Sequence, residues 1–239
     1  MHETPYAYIL VVIELLFTSM LLAALRRAGA RRRTLVLSGG VLVLWLTAAY
    51  GLLATGSLAA TGMPRTAFTL AVALPTVGGL LAVFLWRPLR SAVSAMPTRS
   101  FLRLQRMRAV FGSLFFFTAA LPAWFQYVGG LGDVAAGTAA LLALAYLRAH
   151  PDRERRAVLV GNLPGVLDFV VVMTLGVFVV LRDHAPDFAF NLIPLYVVPL
   201  FILLHVFSLR RLGHLHELAA PQSGTRTAHP LATEVPPHV

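Results

Sequence analysis

The sequence predicts an all-α membrane protein: a polytopic bundle of seven transmembrane helices, amino terminus outside and carboxy terminus in the cytoplasm. Three observations carry that expectation. Hydrophobic residues make up 58% of the 239-residue chain and charged residues only 13%, against about 25% charged in soluble domains. The apolar residues gather into seven stretches, each close to the ~20 residues that a helix needs to cross the hydrocarbon core of a bilayer. Finally, all 20 basic residues are arginine, and they crowd into alternate connections.

The elements follow in order. Apolar stretches run over 6–25, 34–53, 67–86, 109–125, 128–147, 157–181 and 190–209. The first connection holds five arginines, the second one, the third six, the fourth none, the fifth four, the sixth one and the tail three. Eighteen therefore fall on one side and two on the other. Basic loops stay in the cytoplasm, which fixes the orientation. The leading MHETPYAY carries no arginine, so the first stretch reads as a retained span rather than a cleaved signal. No amphipathic transit segment precedes it, which points to a bacterial plasma (inner) membrane.

Connections this short make 1–211 one bundle, since only helices or closed barrels satisfy the backbone in lipid. A two-residue loop at 126–127 makes the fourth and fifth spans antiparallel neighbours. In the third connection Arg99, Arg103 and Arg106 fall at i, i+4 and i+7, opposite Phe101, Leu102, Leu104 and Met107. That pattern suits a helix lying on the cytoplasmic surface, or an arginine collar on the span that follows. Residues 212–239, rich in proline and polar residues, read as a disordered cytoplasmic tail. The first three and last three spans show no convincing internal repeat.

Composition also excludes function classes. The chain has no cysteine, hence no thiolate metal site or redox thiol. It has no lysine, hence no Schiff base to retinal or pyridoxal. Of its eight histidines only His205 lies in a predicted span, too few for an intramembrane zinc site or a bis-histidine haem. His214 and His216 in the tail do not make a metal site by themselves. No metal and no cofactor is expected, and no catalytic constellation is visible, so the chain is not expected to be an enzyme. The net charge of +10 is explained by orientation and by anionic lipid head groups at the cytoplasmic arginines, without nucleic acid. A homo-oligomer or a further membrane partner stays open.

Polar residues inside spans are costly, so they are the candidate site. From a rise of ~1.5 Å per residue, Glu14 lies about 12 Å and Asp133 about 8 Å below the outer ends of their spans. Asp168 lies about 17 Å, and Asn162 and His205 about 6–8 Å, from the inner face. Glu14 stands between Ile13 and Leu15 with no local partner. Gly132, Gly161 and Gly165 allow close helix approach. Pro164, Pro194 and Pro199 interrupt the helical ladder, and Pro164 frees a carbonyl beside Asn162. Broken helices bearing polar groups serve transporters as midplane binding sites. The same residues read equally as hydrogen-bonded packing contacts, with Asp133 capping a later-starting span. Asn162 and Asp168 are about 120° apart round an ideal helix and need not share a face.

RAVFG (Arg108, Gly112), LPAWFQYVGGLGD (Pro122, Gly132, Asp133), GNLPGVLD (Asn162, Gly165, Asp168), Pro194, Pro199 and LLHVFSL (His205, Ser208) form an ordered set. On these motifs the stretch 101–212 resembles an uncharacterised family of bacterial seven-span integral membrane proteins. The resemblance implies that this polar set belongs together, and implies no activity. The leading expectation is a small transporter or channel-like protein for an ion, proton or small polar solute. Asp133 and Asp168 would be its pathway carboxylates, Asn162 a ligand, His205 an inner proton exchanger and Glu14 a further pathway group. The alternative is a non-catalytic scaffold or sensor subunit acting through partners.

Overall fold

The computed structural model describes residues 5–55, 65–118, 121–180 and 188–219, and every regular element among them is helical. In chain order these are α1 (Pro5–Arg27), α2 (Arg32–Ala54), α3 (Arg65–Leu85), α4 (Arg87–Ala95), α5 (Thr98–Gln105), α6 (Arg108–Leu114), α7 (Ala123–Ala149), α8 (Glu154–Leu175), α9 (Phe188–Leu192) and α10 (Val198–Ala219). Six helical stretches are long and apolar enough to cross a membrane: α1, α2, α3, α7, α8 and the run from α9 into α10. Arg182 and Arg226 lie outside the described residues, as do the side chains of Arg65, His214 and His216.

The ends of these helices follow from local chemistry. α1 stops at Gly29, whose φ of 89° suits glycine. There the amides of Ala30 and Gly29 donate to the carbonyls of Leu25 and Arg26, each at 3.0 Å. α8 runs straight through Pro164 and continues as a π turn, Gly176–Val180. A second π turn, Ile193–Val197, contains Pro194 and leads into α10. Proline offers no amide to the α ladder, and a widened turn accommodates that loss.

The fourth span differs from its expected bounds. The stretch 109–125 is not one helix. α6 passes into a 3-10 turn, Phe115–Phe117, the chain breaks before Pro122, and α7 starts at Ala123. The break between the two helices therefore falls before Ala123, and 126–127 lie inside α7. Proline disfavours a helical residue before it. The Gln126 side chain closes the turn, donating to Thr118 O at 2.7 Å and Leu121 O at 2.8 Å.

A correction also applies to the cytoplasmic surface helix. α5 is helical, but Ser100, Phe101, Leu102, Leu104 and Gln105 are buried, so it belongs to the bundle. Leu102 lies beside Gly161 and Ala143, Ala109 on Gly137, Gly112 against Gly130 and Asp133, and Phe115 on Gly129. Numbers rise on one side and fall on the other. The stretch 98–117 therefore climbs α7 as an antiparallel neighbour, and at the helical rise it is about 30 Å long. Small residues on α7 are what allow this contact.

The run from α9 into α10 is central: 61% of its membrane-length stretch is buried, against 11% for α2. The outer face of α2 shows Val36, Val41 and Leu44 instead, as a lipid-facing helix should. Phe17, Phe111 and Phe201 tie α1, α6 and α10 together, with ring centroids 4.9–5.9 Å apart. Near the start of α8, Glu154 accepts from Arg211 at 3.0 Å and from Thr98. Arg211 also donates to Met96 O at 3.1 Å. This latch joins α5, α8 and α10. α10 continues to Ala219, past the boundary expected at Leu212. The rest of the tail lies outside the described residues.

The α6–α7 approach predicts a sensitive position. A Cβ at Gly137 would lie 2.7 Å from Ala109 Cβ and 2.9 Å from its Cα. Overpacking of this kind costs about 1–3 kcal/mol. Gly137→Val is expected to lower thermal stability in detergent measurably, while Gly51→Val, where no atom of the described residues lies within 4 Å, leaves it nearly unchanged.

Candidate functional site

The site is organised by an arginine that sequence reasoning assigned to a cytoplasmic connection. Arg108 opens α6 and is wholly buried, at 0% exposure. It reaches the interior because the broken helix tightens just before it. The amides of Met107, Ala109 and Val110 donate three residues back, to Leu104, Arg106 and Met107, at 3.0–3.1 Å. Arg99, Arg103 and Arg106 stay on one face, while Gln105 and Arg108 turn inward.

Each side of the guanidinium has a partner. Nε donates to Asp133 Oδ1 at 2.6 Å, and one Nη donates to Asp168 Oδ2 at 2.5 Å. The other Nη donates to the Gly165 carbonyl at 2.7 Å and lies 3.3 Å from His205 Nε2. The plane rests 3.8 Å above the Phe169 ring, a cation–π contact strengthened by desolvation. An arginine can only donate. His205 Nε2 must therefore accept, which leaves the ring proton on Nδ1, 2.9 Å from Asn162 Oδ1.

Asn162 continues the network inward. Its oxygen accepts from Gln105 at 2.8 Å and from His205. Its amide donates to Val158 O at 2.7 Å and Ser208 Oγ at 2.9 Å. The amide is thus fully satisfied. Asn162, Gly165 and Asp168 are three residues apart in succession, a row that slants round α8. The neighbouring broken helix follows that row, as crossed helices do. This is why residues 120° apart meet one partner helix.

Glycines make the closeness possible. A Cβ at Gly165 would lie 2.6 Å from the Arg108 guanidinium and from His205 Cε1. At Gly112 it would lie 2.5 Å from Asp133 Cβ, and at Gly132 it would strike the Asp168 carboxylate. Gly161 makes room for Leu102. The carbonyl that enters the site belongs to Gly165. That differs from the expectation of a carbonyl freed by Pro164. Asp133 is not a cap either: α7 starts ten residues earlier, placing it about 15 Å into the helix.

Asp133 and Asp168 also line a cavity of about 60 Å³, otherwise walled mainly by apolar side chains such as Phe115, Phe125, Phe169 and Phe190. Both π turns contribute to its wall, through Gly176 and Val180 and through Ile193 and Pro194. The space is large enough for water, since one molecule needs about 10–15 Å³ on this measure.

The structure brings together four of the expected residues: Asp133, Asp168, Asn162 and His205. Glu14 stands apart. It is fully buried, and neither carboxyl oxygen has a hydrogen-bond partner among the described residues. One turn on, Thr18 shares a 2.5 Å hydrogen bond with Tyr196 of the second π turn. Trp45 Nε1 donates to Leu195 O of the same turn at 2.9 Å. Sequence reasoning missed Arg108 and Gln105 as interior groups. Their signal was the spacing of Gln105 and Arg108 at i and i+3, followed by small residues at Ala109 and Gly112.

A family described as a domain of unknown function, DUF8737, matches residues 65–213. The match spans more than half of the chain, and the chain belongs to this family. It contains every member of the Arg108 network and excludes Glu14, Thr18 and Trp45. No curated protein and no solved structure matches the chain.

Asn162→Leu would leave Gln105, His205 and Ser208 without their shared partner. Loss of a buried hydrogen-bond hub costs about 1–3 kcal/mol for each group left unsatisfied. Thermal unfolding in detergent is expected to shift down far more for Asn162→Leu than for Ser208→Ala, which removes one bond from the hub.

Proposed function

We propose that this chain is a bacterial plasma-membrane protein of seven crossings, amino terminus outside, that moves a proton, cation or small polar solute past Asp133 and Asp168. The fourth crossing is the broken stretch 98–117, which supplies the seventh passage beside the six long spans. The observation that carries the transport reading is the unequal charge at the cavity. Two carboxylates share one guanidinium, so the ionised cluster has a surplus of one negative charge. That surplus borders a cavity with apolar walls.

In low-dielectric surroundings such a surplus attracts a proton or a cation strongly. Arg108 fixes the carboxylates and stops them collapsing together or repelling apart. The cavity lies on the outer side of Arg108 in this topology. The layer of Gln105, Asn162, His205 and Ser208 lies on the inner side and closes the way. Passage to the cytoplasm then requires that layer to open, with the glycine contacts and π turns as the yielding points. The alternative role, a scaffold or sensor subunit, draws on the full satisfaction of Asn162, which suits pure packing.

Purified protein in liposomes with a pH-sensitive dye separates these readings. Imposed proton, sodium or potassium gradients are expected to drive dye-reported flux. Asp168→Asn or Asp133→Asn should lower that flux at least about tenfold, the effect of ~1.4 kcal/mol on a barrier, with unchanged elution on gel filtration. Unaltered flux in both variants would contradict the pathway. For topology, the chain lacks cysteine, so single introduced thiols report cleanly. Ser94→Cys and Phe117→Cys are expected to react with an impermeant maleimide from opposite sides of the membrane.

A further inference from the structure

We infer that the cleft between α1 and α5 binds the phosphate of an anionic glycerophospholipid, held by Arg27, Arg103 and Arg106. The cleft measures about 280 Å³ and is lined by these three arginines, Ser100 and apolar residues that include Met20 and Leu104. Among the described residues no carboxylate lines it. Arg108, Arg153 and Arg211 are ion-paired, whereas among the described residues none of these three has a carboxylate partner.

The placement follows from the sequence. Arg27 is the last residue of α1; Arg103 in the last turn of α5 and Arg106 just past its end lie about one turn apart, opposite buried Phe101 and Gln105. Cations converging on one cleft repel each other, and an anion between them turns that repulsion into attraction. Guanidinium forks match phosphate oxygens in geometry as well as charge. The apolar wall distinguishes lipid from a free anion. Met20 and Ala23, both half-buried at the cleft, offer surface that inorganic phosphate cannot use and an acyl chain can. Basic pockets between helices at the cytoplasmic face are where anionic head groups dock.

The site rests on the membrane-crossing reading and not on transport past Asp133. An occupied cleft would also steady the broken helix, because Gln105 and Arg108 project from its other face.

Native mass spectrometry of the full chain in detergent tests this, with phosphatidylglycerol and phosphatidylcholine of the same acyl chains as probes. Phosphatidylglycerol is expected to bind at least about tenfold more tightly than phosphatidylcholine. Arg27→Gln, Arg103→Gln and Arg106→Gln should each weaken it roughly fivefold to tenfold, the effect of one arginine near an anionic surface. Arg148→Gln, at the far end of α7, should leave it within about twofold, less than one such contact. Equal binding of the two lipids, or an equal loss in Arg148→Gln, would overturn the site. Complete displacement of phosphatidylglycerol by millimolar inorganic phosphate would overturn the lipid assignment and indicate a soluble anion. If a variant fails to accumulate, the comparison of the two lipids on the unaltered chain still decides. Flux past Asp133 is read separately, so failure of one proposal is distinguishable from failure of the other.

Discussion

A guanidinium at the centre of an apolar bundle imposes one condition on everything around it: its charge must be balanced and its donors accepted. Arg108 is fully buried, and desolvating a charge without partners costs several kcal/mol. The condition is met by groups from separate elements, Asp133 on α7, Asp168 and Gly165 on α8, and His205 on α10. Four elements are therefore held in register at one point. The glycines at 112, 132 and 165 are consequences of that meeting, because a methyl group at any of them would intrude on it.

The two sides of this cation differ in character. On one side hydrogen bonding is nearly complete around Asn162, leaving Gln105 Oε1 as the atom of that layer without a partner among the described residues. On the other side, two carboxylates meet one guanidinium and border a cavity whose remaining walls are largely apolar. One acid is enough to balance the cation, and a second, although it ties another helix to Arg108, adds a buried charge that is costly. The asymmetry is the physical reason for reading the cluster as a place where charge or solute is exchanged.

Much of the architecture was legible in the sequence. Apolar length alone located six of the long helices, because in lipid a backbone must satisfy itself locally. The fourth stretch was misread for a reason of the same kind. Hydropathy saw continuity across Pro122, whereas the missing amide of proline and the side chain of Gln126 end one helix and begin another. Asp133, Asn162, Asp168 and His205 could be picked out because polarity in a span is expensive. Their common partner stood among the family motifs, but its place inside the bundle was not legible. An arginine beside five others in one connection reads as a topogenic charge, and only the tight turn at 106–107 sends it inward. Glu14 showed the opposite limit, since an isolated acid in a span announces itself while the π turn that meets Thr18, one helical turn on, does not.

The most direct measurement of the central claim is a double-mutant cycle between Arg108→Gln and Asp168→Asn, read as unfolding free energy in micelles. An ion pair at the bundle centre predicts strong non-additivity, with a coupling energy of at least about 1.5 kcal/mol. Additive effects within about 0.5 kcal/mol would mean that the two side chains do not meet, and the account of a site organised by Arg108 would be wrong.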